Sequence, residues 1–244
     1  MEIVEIENKE LPKMKPVVEK MDLLIPDIPD GVPKYNGGVW IVSGSGGSGK
    51  SSMLLSFFRS KKLYRNKFDH IWYICPMSSF LSVVKHPFIS HDKVYHDLTP
   101  DLLTEIYTRL NEIKEENDKD GEQEYSCLFI EDSADALKDK HIQRALNRIL
   151  IKARHLKVMI IICVQAWKYF PLQLRRQVTN VSVFKPKNKD EWETICKEML
   201  MIKRENWEFF HDYIFDEPYT HLDIDTKTGQ MYKNFNLLEI NFKK

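Results

Sequence analysis

The residues with the clearest chemical signature lie between positions 44 and 52. The run Gly44-Ser45-Gly46-Gly47-Ser48-Gly49-Lys50-Ser51 has the spacing G-x-x-x-x-G-K-[ST] of a phosphate-binding loop (P-loop). Its glycines allow backbone N–H groups to surround phosphate oxygens, and its lysine reaches the β- and γ-phosphates of a nucleotide. We predict that this loop, extended by Ser52, binds ATP, that Lys50 is catalytic and that Ser51 is a ligand of Mg²⁺.

Two adjacent acidic residues, Glu131 and Asp132, follow the apolar run at 127–130. This is the form of a Walker B strand, in which one carboxylate holds Mg²⁺ and its neighbour orients the attacking water. The usual order is aspartate before glutamate, and here it is reversed. In one register Glu131 binds the metal and Asp132 polarises the water. In the other register Asp132 binds the metal and Glu131 lies inside the strand, so both are predicted as catalytic and metal-binding residues.

Polar residues after the next apolar run could complete such a site. Gln165 directly follows 158–164, where the carboxyl end of a parallel strand opens on the same edge as the phosphate loop. We predict that its amide contacts the γ-phosphate and the water. Arg175 and Arg176 follow at a distance that suits an arginine finger, a guanidinium that neutralises charge on the transferred phosphoryl group. Arg175 is the candidate finger; Arg176, or a solvated or DNA-facing arginine pair, is the alternative.

These residues need a scaffold of alternating strands and helices, which the apolar pattern predicts. Strands are expected at 39–42, 71–75, 127–130, 158–164 and 181–184. Helices are expected at 50–60, about 100–114, 140–153 and 190–213, with a charge-dense surface turn at 115–124 and a hairpin turn at 225–229. Because continuous β-branched runs are typical of strands buried on both faces, the pattern indicates a parallel sheet.

The predicted fold class is α/β: a P-loop NTPase of the additional-strand type, with a mainly parallel central sheet flanked by helices. An extra strand between the P-loop strand and the Walker B strand, together with a polar sensor at a strand end, indicates this division. We divide the chain into an N-terminal arm at 1–38, an ATPase domain at 39–215, and a C-terminal hairpin or tail at 216–244 packed on the same domain.

Composition restricts the class of protein further. The 244 residues suffice for one sizeable α/β domain, and the formal net charge is zero at pH 7. Any contact with nucleic acid must therefore come from a local basic patch. The four cysteines have no C-x-x-C spacing, which favours a reduced intracellular protein. No apolar stretch approaches the roughly 20 residues that span a bilayer, so no membrane segment is expected.

The ordered set of motifs resembles the FtsK–HerA superfamily, and most closely the genome-packaging ATPases of large cytoplasmic DNA viruses and their virophages. The resemblance covers roughly residues 36–186. It rests on the phosphate loop, the acidic pair, Val164-Gln165, and the downstream run Phe170-Pro171-Leu172-Gln173-Leu174-Arg175. In that family a strand that contains glutamine is followed by a proline and then by Leu-Arg before the next strand.

The resemblance implies a motor that uses ATP and Mg²⁺, assembles as a homo-oligomeric ring and translocates double-stranded DNA into a preformed viral capsid. It implies that Lys50 and Ser51 bind Mg-ATP, that Glu131 and Asp132 share metal and water duties, that Gln165 senses the γ-phosphate and that Arg175 is the finger. It also implies a location in the host cytoplasm or virus factory, or in the virion. The alternatives are a DNA helicase or recombination-type ATPase, and an assembly protein that binds ATP without being a motor.

A motor of this kind needs basic residues that grip DNA phosphates without reading sequence. Arg144, Arg148 and Lys152 recur at a spacing of four and so share one face of a predicted helix. We predict that this face contacts DNA, and a merely solvated helix face is the alternative.

Overall fold

One sheet of nine strands organises residues 27–84, 86–88, 91–120 and 123–240, which are the residues described by the computed structural model. The strands are β1 (Gly38–Ser43), β2 (His70–Ile74), β3 (Val94–Tyr95), β4 (Ser126–Ile130), β5 (Val158–Val164), β6 (Asn180–Phe184), β7 (His221–Asp225), β8 (Met231–Lys233) and β9 (Asn236–Leu237). The helices are α1 (Lys50–Arg59), α2 (Met77–Leu81), α3 (Pro100–Asp120), α4 (Lys140–Lys152), α5 (Leu172–Arg175), α6 (Lys189–Met199) and α7 (Trp207–Ile214). Short 3₁₀ turns lie at Ala136–Lys138, Trp167–Tyr169 and Arg204–Asn206.

The order of the strands is β3-β2-β4-β5-β1-β6-β7-β8-β9. From β3 to β6 all neighbours are parallel, and from β6 to β9 they are antiparallel. Strand β5 lies between the P-loop strand β1 and the acidic strand β4. The expected α/β class and the additional-strand order are therefore confirmed.

The apolar runs form the strands because both faces of the sheet are covered. Every residue of β4 and β5 is buried. Along β1, Val39 and Ile41 pack into the core cluster that includes residues of α3 and α4, whereas Trp40 and Val42 pack into the opposite cluster with α1. This alternation is the period of two that a β-strand imposes on its side chains.

The surface turn predicted at 115–124 is wrong for residues 115–120, because α3 continues to Asp120; residues 121 and 122 lie outside the described residues. Charged pairs along the exposed face support the helix: Arg109 pairs with Glu112 and Glu116, and Lys114 pairs with Asp118 at a spacing of four. The high charge density therefore marks a solvated helix face.

The single helix predicted at 190–213 is wrong, because the chain leaves helical geometry at Leu200. Leu200 and Ile202 are buried in the core. Two indole N–H groups hold the break: Trp207 donates to the carbonyl of Ile202 and Trp192 donates to the carbonyl of Trp207, both at 2.9 Å. The sequence keeps a helical apolar period across residues 200–206, which is why it predicts one helix. In the structure the helix ends at Met199, and Leu200 and Ile202 are buried in the core.

The hairpin turn predicted at 225–229 is confirmed, since it joins the antiparallel strands β7 and β8. The carboxylate of Asp225 accepts N–H bonds from Lys227 and Thr228, and Gly229 adopts a φ of 73°. Strand β7 also pairs with β6, so the hairpin extends the central sheet.

At the other end, residues 1–26 of the predicted N-terminal arm lie outside the described residues. The part at 27–37 leads into β1, and the Pro33 carbonyl there accepts a 2.6 Å bond from the Tyr64 hydroxyl. The division into arm, domain and tail stays a prediction. None of the described helices has the length and apolarity that crossing a bilayer requires.

Candidate nucleotide-binding site

The carboxyl ends of β1, β4 and β5 border a cleft of about 220 Å³. Because these strands are parallel, the residues that follow them meet at one edge of the sheet. The cleft is lined by Gly46, Gly47, Lys50, Ser51, Ser79, Ser82, Val83, Glu131, Asp132, Ala134, Cys163, Val164 and Gln165. The fold thus brings together the predicted P-loop, acidic pair and glutamine, although Gly44 and Gln165 are 121 positions apart in sequence.

The glycines of the P-loop have the backbone geometry that the motif requires. Gly47 and Gly49 have φ angles of 77° and 103°, in a backbone region that residues other than glycine rarely adopt. At Gly46 and Gly47 an added β-carbon would meet nothing within 4 Å, so this side of the loop is open to a ligand. Helix α1 begins at Lys50, and its N-terminus adds the positive end of the helix dipole.

The ammonium group of Lys50 lies within the loop. Its Nζ donates to the carbonyl oxygens of Gly44 at 2.5 Å and Ser45 at 2.9 Å. Burial lowers the pKa of Lys50, and the carboxylates of Glu131 and Asp132 act in the opposite direction. Lys50 is therefore placed between the loop that would hold phosphates and the acidic end of β4.

Glu131 is buried at the end of β4, with 6% of its surface exposed. Its Oε2 accepts a 2.5 Å hydrogen bond from the Tyr73 hydroxyl, whereas its Oε1 is buried and has no hydrogen-bond partner among the described residues. Burial, followed by the Glu131 carboxylate, raises the pKa of Tyr73 far above its ordinary value, so the phenol remains a donor. Tyr73 thus fixes one oxygen of Glu131 and leaves the other as a buried acceptor without a partner among the described residues.

Replacing Tyr73 with phenylalanine is expected to lower kcat about tenfold and the free energy of unfolding by about 1–3 kcal/mol, because a buried carboxylate oxygen loses its donor. Tyr64→Phe is the matched control, since it removes the 2.6 Å bond from another buried tyrosine hydroxyl to the Pro33 carbonyl, away from the cleft. Steady-state kinetics and urea unfolding measure the two effects. Equal kcat in the two variants would contradict a positioning role for Tyr73.

Asp132 differs from Glu131 in exposure and in its partners. It is exposed and has a φ of 51°, which turns the chain sharply after the strand. The hydroxyl of Ser79 donates to its Oδ2 at 2.8 Å, and the amide of Gln165 donates to its Oδ1 at 3.2 Å. The sheet thus brings the predicted sensor and the second acidic residue into direct contact.

The donor set of the cleft fits magnesium bound together with nucleotide phosphates. Among the described residues, no three His, Cys, Asp or Glu side chains gather into a metal-binding cage. Mg²⁺ usually binds one or two carboxylates, substrate phosphates and water, and does not need such a cage. Ser51, Glu131 and Asp132 all line the cleft, and Oε1 of Glu131 has no hydrogen-bond partner among the described residues, so the chain offers oxygen ligands of the right type.

Arg175 does not reach this cleft as a free cation. Its guanidinium donates to both carboxylate oxygens of Glu198 at 2.7 and 2.8 Å and to the carbonyl oxygens of Phe170 and Trp167. It also lies 4.8 Å from the centre of the Trp167 ring, and its side chain is 13% exposed. Its neighbour Arg176 is exposed, and it borders a shallow surface groove with Gln143, Pro171, Leu172 and Gln173.

The three basic residues of α4 lie on one exposed face, as their spacing predicts. The guanidinium of Arg148 lies 4.7 Å from the ring centre of Tyr107, and the ammonium of Lys152 donates to the Tyr107 hydroxyl at 2.7 Å. Tyr107 belongs to α3, so two of the three cations are held against the neighbouring helix. Arg144 is exposed one turn further toward the start of α4.

Sequence reasoning missed Tyr73 and Ser79 as members of the site. The strand that carries Tyr73 is recognisable from its apolar run, but its place beside β4 depends on the strand order. Ser79 lies in a short helix without a motif, and no local signal connects it to Asp132.

Solved structures with the same fold come from viral and bacterial ATPases. B204, the DNA-packaging ATPase from Sulfolobus Turreted Icosahedral Virus, is 19% identical with a TM-score of 0.59, over 85% of this chain and 100% of that chain. The genome packaging NTPase B204 from Sulfolobus turreted icosahedral virus 2, in complex with ATP-gammaS, is 17% identical with a TM-score of 0.56, over 80% and 96%. The cytoplasmic domain of the Thermomonospora curvata Type VII secretion ATPase EccC is 16% identical with a TM-score of 0.54, over 84% and 24%.

These likenesses confirm the P-loop ATPase fold. A comparison with curated protein sequences gives no match. The sequence model of the family described as Poxvirus A32 protein matches residues 38–209, which include the P-loop, the acidic pair, Gln165 and both arginines. The chain therefore belongs to the poxvirus A32 protein family, and its resemblance to the viral packaging ATPases of the FtsK–HerA type is confirmed.

Proposed function

We propose that this chain hydrolyses ATP within a homo-oligomeric ring and uses the free energy to drive double-stranded viral DNA into a preformed capsid. As a poxvirus A32 family member with a P-loop fold, the chain is an ATPase of a viral genome-packaging family. The observation that carries the proposal is the convergence of Lys50, Glu131, Asp132 and Gln165 on one cleft at the carboxyl edge of the sheet. ATP analogues bound to a similar packaging NTPase support ATP as the nucleotide.

In the proposed reaction the backbone N–H groups of residues 44–51 hold the phosphates, and Lys50 exchanges its loop carbonyls for the β- and γ-phosphate oxygens. Mg²⁺, held by Ser51 and Glu131, would neutralise negative charge on the phosphates. Asp132 orients the attacking water and accepts its proton. Gln165, already bonded to Asp132, places its amide between that water and the γ-phosphate.

This assignment separates the two acidic residues. Asp132→Asn is expected to lower kcat about 10²-fold with little change in ATP affinity, because the water loses its base while the phosphate contacts remain. Glu131→Gln is expected to raise the Mg²⁺ concentration needed for half-maximal activity, because a metal ligand loses its charge. Magnesium titrations of kcat and of ATP binding measure both effects. The reverse pattern, with the shift in Mg²⁺ requirement in Asp132→Asn, would transfer the metal role to Asp132.

The arginine finger is better supplied by Arg176 than by Arg175. A finger must leave its own subunit and enter the neighbour's cleft, and Arg175 is held by Glu198 and two backbone carbonyls. Arg176 is exposed next to the exposed side chain of Leu172, on a surface available to an adjacent copy. We therefore propose Arg176, and not Arg175, as the arginine finger.

Contact with DNA is assigned to the exposed face of α4. Packing on Tyr107 orders Arg148 and Lys152 before any DNA arrives, and this reduces the conformational entropy lost when they grip phosphates. Together with Arg144 they place three cations along one helix face. These cations would contact the phosphate backbone of DNA, which is the same for every duplex sequence. The proposed location follows from this role: the host cytoplasm or virus factory, and the virion.

Hydrolysis measured with and without linear double-stranded DNA, over a series of salt concentrations, tests the function. We expect DNA to stimulate turnover and the stimulation to decline with salt, because phosphate contacts release counterions. Changing Arg144, Arg148 and Lys152 together to alanine should reduce both the stimulation and its salt dependence. Hydrolysis indifferent to DNA would favour an assembly ATPase, and separation of the two strands would favour a helicase.

A further inference from the structure

The geometry of the cleft fixes the side of the P-loop on which the base of a bound nucleotide must lie. The residues proposed to act on the γ-phosphate follow β4 and β5, on one side of β1. On the other side lie β6 and β7, whose paired ends Phe184 and His221 bring the start of β7 to the same edge of the sheet. A triphosphate held by the loop with its γ-phosphate toward Glu131 therefore directs its base toward β6 and β7.

The side chain of Tyr219 lies on that side of the P-loop. Tyr219, two residues before β7, packs against the last glycine of the loop: a β-carbon added at Gly49 would lie 3.2 Å from its Cδ1. Phe184 supports the same place, since its Cε1 would lie 3.5 Å from that β-carbon. Although the ring touches the loop, 72% of Tyr219 is exposed. A large aromatic surface is therefore open to solvent directly beside the phosphate-binding loop.

The chain holds Tyr219 there at an energetic cost. Its φ is 67°, in the left-handed region that costs a bulky residue free energy. The segment around it is anchored on both sides: Lys233 pairs with Asp216 at 2.7 Å, and the N–H of His221 donates to the side chain of Asn234 at 3.0 Å. Backbone strain and an exposed aromatic ring both lower the stability of the folded chain. Both features are typical of residues that contact a ligand.

We propose that Tyr219 is the stacking platform for the nucleobase of the bound nucleoside triphosphate. This inference rests on the proposed function, because it concerns the same nucleotide, and it adds a base-binding residue that the motifs do not indicate. Stacking on an aromatic ring uses the π-face that every base has, so the platform contributes affinity for the base and leaves the phosphates to the loop.

The test compares ATP with inorganic tripolyphosphate, which has the same phosphate chain and no base. Calorimetric titration of the purified full chain with Mg²⁺ is expected to show that Tyr219→Ala weakens ATP binding by about tenfold or more and leaves tripolyphosphate binding unchanged. Tyr219→Phe keeps the ring and should retain wild-type affinity for both ligands. Phe209→Ala is the control, because Phe209 is another highly exposed aromatic residue, on α7.

Other outcomes overturn the platform in distinguishable ways. Unchanged ATP affinity in Tyr219→Ala, with binding lost in Lys50→Ala, would leave the nucleotide site intact and remove only the platform. Equal weakening of ATP and tripolyphosphate would show that Tyr219 supports the loop and does not contact the base. If the wild-type chain binds neither ligand, that result would contradict both the proposed function and the stacking role of Tyr219.

Discussion

Replacing Lys50 with alanine is expected to abolish ATP hydrolysis, with a fall in kcat of about 10³-fold or more. The side chain carries the charge that the loop directs at the β- and γ-phosphates, where negative charge shifts during phosphoryl transfer. Among the described residues that line the cleft, Lys50 is the only cation, so no other lining residue supplies this charge. Formation of ADP in acid-quenched single-turnover reactions measures the effect without interference from product release.

The control for this variant is Lys62→Ala, which removes an exposed lysine shortly after α1. It should hydrolyse ATP at the wild-type rate. Thermal unfolding of Lys50→Ala must be checked as well, because its ammonium group also bonds to two loop carbonyls. Hydrolysis within tenfold of the wild type by a folded Lys50→Ala protein would contradict the assignment of the catalytic site.

Alanine substitutions of Arg175 and Arg176 are expected to affect different properties, stability in the first case and turnover in the second. Arg176→Ala should lower turnover of the assembled protein about 10³-fold without loss of stability or ATP affinity, as removal of an arginine finger does. Arg175→Ala should lower the free energy of unfolding by about 2 kcal/mol, because Glu198 and two carbonyl oxygens lose their donor. Denaturant unfolding, ATP titration and steady-state turnover separate the two patterns.

Mixing variants tests whether the finger acts between subunits. A Lys50→Ala subunit has a dead site but an intact Arg176, whereas an Arg176→Ala subunit has an intact site and lacks the finger. Mixed assemblies should therefore regain part of the activity that each variant lacks alone. Lys168→Ala, which removes another exposed cation, serves as the control and should remain active. If mixed assemblies stay inactive, a finger acting in trans from Arg176 is excluded.

The sequence reveals the parts of the site whose chemistry is local. A phosphate loop must keep its glycines, lysine and serine contiguous, so Gly44 to Ser51 are readable without a structure. Glu131 and Gln165 are recognisable because each directly follows a buried apolar run, and parallel strands place such residues at a common edge. The strand runs predict the sheet for the same reason, since burial on both faces leaves continuous apolar segments.

The remaining parts depend on contacts between distant segments. The bond from Tyr73 to Glu131 joins residues 58 apart, and the ion pair that holds Arg175 joins residues 23 apart. Spacing alone therefore could not tell which arginine is free. The break at Leu200 has a similar origin, because it depends on indole bonds and core burial and not on a helix-breaking residue. Tyr219 likewise becomes notable only after β7 pairs with β6 beside the loop.

The central claim, that hydrolysis moves the protein along duplex DNA, is tested most directly by displacement of a third strand from a triplex. A short oligonucleotide bound in the major groove of a linear duplex is stripped off by a motor that translocates on the duplex, whereas an ATPase that only binds DNA leaves it in place. We predict release that requires ATP, fails with a non-hydrolysable analogue and is absent in Lys50→Ala. DNA-stimulated hydrolysis with the triplex left intact would contradict the translocation claim.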